Sequence, residues 1–137
     1  MNVKLSFINS ASFTAGRHIS PHSHNCHEIV FYGIGCSGTT IINDTEYTFS
    51  AGDAAVINQK FIHSESHSSD GRVRFFGFEC DRDLPIPSGI YHNLWNIDLI
   101  ISMIHKESIN QNYLYKELIS NKINELIIYI TRTLFPK

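Results

Sequence analysis

HSHNCHEIVFYGIG, residues 22–35, is the stretch that decides how this chain folds. It places His22, His24 and Glu28 ahead of an apolar run and ends in Gly33 and Gly35. On an extended strand, residues two apart share a face, so a strand from His22 to Glu28 would aim all three even-numbered side chains into one space. Thirty-five residues after Glu28 comes His63, just past a Gly52-Asp53 turn, and a neighbouring strand would bring it to the same place. Three imidazoles and one carboxylate form a ligand set for a divalent transition metal, with Zn, Ni, Fe and Mn as candidates.

Outward from that stretch, residues 1 to about 80 read as short strands separated by turn signals. The candidates are Val3–Ile8, Arg17–His24, Glu28–Ile34, Thr39–Ile42, Glu46–Ser50, Ala54–Ile57, His63–Ser68 and Val73–Cys80. Asn43-Asp44 has hairpin chemistry, and Gly52-Asp53 and Asp70-Gly71 mark two further turns. Short strands without intervening helices indicate an antiparallel β-barrel or jelly roll. Pro85, Pro87 and Gly89 mark residues 81–92 as a linker rather than a strand. The period then changes. Leu94–Lys106 and Tyr113–Phe135 read as helices, with Asn93 or Asn96 as candidate caps for the first. Residues 1–92 are therefore taken as the ligand-binding barrel and 93–137 as a helical tail.

The 137 residues suit one domain with a real core, and 42% apolar against 18% charged residues is a globular balance. A net charge of −2 and scattered Lys and Arg argue against nucleic-acid binding by this chain itself. Cys26, Cys36 and Cys80 form no CxxC pair, and no leader-like apolar segment opens the chain. The expectation is a cytoplasmic protein with reduced thiols and no membrane span.

On the second helix Ile119, Ile123, Leu126 and Ile130 form one apolar stripe, with Leu118, Ile127, Ile128 and Leu134 widening it. Such a surface exceeds what one barrel face covers, and the stripe is assigned to a homodimer.

Gly16-x5-His22-x-His24-x3-Glu28-x6-Gly35 matches the first cupin motif at every fixed position. The second motif is met at Gly52 and His63, with Asn58 and Lys60 where the motif has proline and glycine. The β part thus resembles a cupin. The run from His22 to Ser64, with Gly52-Asp53, Ile57-Asn58 and His63-Ser64, is similar to the amino-terminal domain of AraC/XylS-type transcription regulators, as is LPIPSGIYHN (84–93) followed by two helices. That resemblance implies a small-molecule effector, a sugar or a carboxylate-bearing metabolite, bound inside the barrel. It also implies dimerisation through the last helix and DNA contact only through a part absent from this chain, so that the chain reads as a truncated sensor domain and not an enzyme. A small metal-dependent cupin enzyme, an isomerase or oxygenase using His22, His24, Glu28 and His63, is the rival.

The polar set has three readings: a metal site, a metal-free effector pocket, or a satisfied structural cluster. Tyr32 continues the even phase and is placed in the pocket, with Phe76 and Phe78 as its floor and Phe75 facing the helices. Cys26 shares the inward phase. His27, His67, His92 and His105 are read as surface residues, and Trp95 as a core residue.

Overall fold

The structure is a computed structural model that describes all 137 residues, Met1–Lys137. Nine strands precede two helices: β1 Val3–Phe13, β2 His18–His22, β3 His27–Tyr32, β4 Ser37–Ile42, β5 Thr45–Ser50, β6 Ala54–Ile57, β7 His63–His67, β8 Gly71–Cys80, β9 Gly89–Tyr91, α1 Trp95–Asn110 and α2 Tyr115–Arg132. They form a mainly β fold of two antiparallel sheets. The five-stranded sheet runs β1-β8-β3-β6-β9 and the four-stranded sheet β2-β7-β4-β5. The Asn43-Asp44 turn joins β4 to β5 with both residues at positive φ, 48° and 70°. That is the backbone of a type I′ turn, whose twist matches the flanking strands.

Strand β3 shows how the layers are built. All six of its residues are buried. Ile29 and Phe31 pack with the helices, while Val30 and Tyr32 pack between the sheets. A strand covered on both faces carries a continuous apolar run, which is why HEIVFY does not alternate. The outer core joins Phe76, Phe78, Ala54 and Val56 of the five-stranded sheet to Ile97, Ile101 and Ile104 of α1 and to α2. The inner core, between the sheets, contains Phe49, Ile57 and Val73.

Several expectations are corrected. Ile119, Ile123, Leu126 and Ile130 are buried in the chain's own outer core, at 5%, 0%, 0% and 0% exposure. The stripe assigned to a dimer is therefore used within the chain, because α2 lies against α1 and β1. Residues 81–92 are not all linker: Gly89–Tyr91 adds β9 to the edge of β6. Neither Asn93 nor Asn96 caps α1; Leu94 is the N-cap residue, with no side-chain hydrogen bond. Trp95 is 45% exposed rather than core, lying edge-on to Phe31 at 5.7 Å. No helix is long and apolar enough to cross a membrane.

Candidate metal centre

His22 ends β2 in the four-stranded sheet, and Glu28 lies near the start of β3 in the five-stranded sheet. His24 sits in the connection between them. The strands expected at Arg17–His24 and Glu28–Ile34 are thus separate, as β2 and β3, and no continuous strand runs from His22 to Glu28. The three side chains converge because the chain crosses from one sheet to the other at this point. The crossing also explains Cys26, which falls in the connection and is not among the residues that line the cavity.

His63 arrives opposite, paired with His22 across the β2–β7 ladder. Ring centroids lie 4.1 Å apart for His22 and His63, 4.9 Å for His22 and His24, and 5.5 Å for His24 and His63. Glu28 reaches two of the three, with Oε1 3.4 Å from His63 Nε2 and Oε2 3.6 Å from His24 Nε2.

The tautomers follow from the backbone. His22 Nδ1–H donates to the Ser20 carbonyl at 2.9 Å, and His63 Nδ1–H donates to the Phe61 carbonyl at 3.2 Å. Both Nε2 atoms are therefore bare and face the common space, the arrangement that orients imidazole ligands. His63 Nε2 is buried and has no hydrogen-bond partner, since Glu28 Oε1, 3.4 Å away, is itself an acceptor. Burial opposes charge on His63, but Glu28, the Phe61 carbonyl and Glu65 together outweigh it and raise the pKa above the usual imidazole value. Burial lowers that of His24, and its two imidazole neighbours add to this against the pull of Glu28.

One ligand atom from each of His22, His24 and His63 lies within 4.8 Å of the others. Three imidazole nitrogens at that spacing, those of His22 and His63 held bare by the backbone, fit a divalent ion after an inward adjustment. Glu28 borders this group without completing it.

The site opens into a cavity of about 230 Å³ between the sheets. Its walls are mostly apolar: Phe7, Phe13, Ile19, Val30, Ile57, Val73 and Phe75. The assignment of the β8 aromatics is corrected here. Phe75 faces the cavity, and Phe76 and Phe78 face the helices, because the β8 positions that share Val73's side of the sheet are the odd ones. Phe7 and Phe13 belong to β1, an edge strand that closes one side of the cavity.

Tyr32 points between the sheets as expected, but it lies behind the cavity wall rather than in it. Its O–H donates to Glu65 Oε1 at 2.5 Å, and its ring stacks on Phe49 at 3.8 Å. Glu65 does line the cavity, and His67 Nε2–H donates to its Oε2 at 2.7 Å. Sequence reading missed Glu65 and placed His67 on the surface, yet His67 is 3% exposed. The available signal was the odd phase of His63, Glu65 and His67 on one strand. His27 is likewise buried, where its Nδ1 accepts the Gln59 N–H at 3.1 Å.

Comparison with protein-family models and with curated proteins returns no match. Solved structures do match. A predicted oxalate decarboxylase from Thermotoga maritima aligns at 19% identity over 56% of this chain and 69% of its own, with a TM-score of 0.52. A conserved protein of unknown function from Streptococcus pyogenes aligns at 16% identity over 60% and 68%, with a TM-score of 0.50. The salicylate 1,2-dioxygenase of Pseudaminobacter salicylatoxidans aligns at 13% over 56% and 21%, at 0.49. The fold is cupin-like. The expectation of a chain that is not an enzyme loses its ground here, since the fold is shared with a predicted oxalate decarboxylase from Thermotoga maritima. Neither a family model nor a curated protein carries the AraC/XylS resemblance.

Proposed function

We propose that this chain is a small metal-dependent cupin enzyme, an isomerase or an oxygenase, whose ion is held by His22, His24 and His63. The observation that carries the reading is His63 Nε2, buried without a hydrogen-bond partner beside two further imidazoles at the mouth of an apolar cavity. An orphaned buried acceptor costs free energy, and a cation would satisfy it together with its two neighbours. Zn, Ni, Fe and Mn all accept such a nitrogen set. When bound, an ion of this kind acts as a Lewis acid on a substrate oxygen.

The chain's own residues supply the rest. Ser20 and Phe61 carbonyls hold His22 and His63 with Nε2 inward. Glu28 borders the three imidazoles and lies where it can accept a proton from a substrate positioned beside it. Phe7, Phe13 and Phe75 give the cavity apolar walls, against which polar contacts are stronger than in water.

Metal analysis of protein purified without a nickel column tests the reading. About one equivalent of a transition metal per chain is expected, after reconstitution if necessary, and H22A and H63A should each lose it. A wild-type chain that retains no metal after incubation with each of the four ions would sink the proposal.

A further inference from the structure

The cavity has a second carboxylate besides Glu28, one step along β7 from His63. Glu65 is 9% exposed and lines the cavity, and it sits in the second position of the inward row His63, Glu65, His67 on β7. Both oxygens are anchored from behind. Tyr32 donates to Oε1 and His67 to Oε2. Burial, and then the charge of Glu65, keep the Tyr32 phenol well above its ordinary pKa, so it remains a donor. His67 Nδ1 is buried and unpartnered, which leaves the ring proton on Nε2, shared with Glu65. Phe13 stacks on His67 at 4.5 Å and fixes its plane. A carboxylate oxygen that has accepted one hydrogen bond keeps a further lone pair, and here the open side is the cavity.

The charge pattern around it is one-sided. Twelve residues line the cavity, two are carboxylates, and none is Lys or Arg. In the metal-free chain a ligand with a free anionic group would meet Glu65 and Glu28 with no Lys or Arg to offset them, the imidazole cluster beside Glu28 being the one source of positive charge. Seven of the twelve are apolar, so the body of the ligand must be apolar too. The size is also bounded. An apolar cavity of about 150 Å³ takes a benzene ring, so the roughly 230 Å³ here accommodates one ring and a short arm.

We infer that Glu65 selects the substrate, and that the substrate is an uncharged molecule of about single-ring size that donates a hydroxyl hydrogen bond to it. The inference rests on this cavity being the substrate site of the enzyme proposed above, but its test does not require the metal. Tyr32 and His67 are positioning residues that act through Glu65. A carboxylate-bearing ligand, one of the two classes implied by the regulator resemblance, is disfavoured.

Benzyl alcohol and benzoate share a ring and a one-carbon arm and differ in charge and in the donor. Each is titrated by calorimetry at pH 8 into the intact chain, once stripped with chelator and once loaded with zinc. In the stripped wild-type chain, benzyl alcohol should bind at least roughly tenfold more tightly than benzoate, the scale of one hydrogen bond to a charged acceptor. E65Q should lose most of that preference by weakening the alcohol and admitting the anion. Equal or tighter binding of benzoate to the stripped wild type overturns the inference. So does binding of neither ring at millimolar concentration, or a folded E65Q that retains the wild-type preference. The wild-type comparison decides the matter even if E65Q does not fold. Discrimination in a chain that retains none of the four ions would uphold the inference while removing the metal-enzyme reading.

Discussion

Lys60 sits at φ +67°, at the position where the second cupin motif carries glycine. Its N–H donates to the His24 carbonyl at 2.7 Å, which ties the β6–β7 loop to the connection that bears His24. A side chain in left-handed backbone costs about 1 kcal/mol relative to glycine. Lys60→Gly should therefore stabilise the chain by about 0.5–1 kcal/mol in urea unfolding, with metal affinity unchanged, since the backbone contact is retained. His63 carries a pH signature. Its folded-state pKa is raised, so its contribution is full below the unfolded value of about 6.5 and is lost as pH rises through the folded value. Between pH 6 and 8 the metal-free wild type should lose stability relative to H63Q, measured as urea midpoints. Metal binding must run the other way, because the proton on Nε2 competes with the ion, and zinc affinity should rise over the same window.

Helix α2 turns one face to the core and another to solvent. Ile123 is fully buried while Ile128, five residues on, is 51% exposed. Ile123→Ala should cost about 2–5 kcal/mol by removing packed methyl groups, and Ile128→Lys should stay within about 0.5 kcal/mol. Thermal or urea unfolding of the two variants separates the faces. Equal effects would mean that the helix is rotated from the orientation described. The tight turns and the inward row of β7 are also element-scale features. The type I′ hairpin at Asn43-Asp44 was legible because both residue types tolerate positive φ. A gap between a strand ending near His24 and one starting near Glu28 was legible too, but not that the two strands enter different sheets, because hydrogen-bond partners far away in sequence decide that.

For the whole molecule, the candidate centre joins parts that are far apart along the chain. His22 and His63 belong to the four-stranded sheet, His24 to the crossing, and Glu28 to the five-stranded sheet. An ion bound there would hold the mouth of the barrel together and would be absent from the unfolded chain. Zinc at one hundred times its dissociation constant should then add about 2.7 kcal/mol. Calorimetric melting of wild type and H22A with and without zinc checks this, the expected outcome being a rise in the wild type alone.

Residue identity and spacing alone were enough for the antiparallel β fold, the two terminal helices, and the set His22, His24, Glu28 and His63 as residues worth bringing together, while the fold's cupin character came from the motif resemblance. Those features depend on local chemistry: turn residues, hydrophobic period and ligand type. Which face each aromatic of β8 takes depended on pairing with β1 and β3, and the period of two alone leaves that choice free. The burial of Glu65 and His67 required Tyr32, thirty-three residues from Glu65, to arrive opposite with its hydroxyl. The apolar stripe of α2 likewise has the same appearance in sequence whether it meets a partner or its own sheet. Only the tertiary structure shows that α1 and β1 already cover it, because burial is a property of what comes to lie against a surface and not of the surface itself.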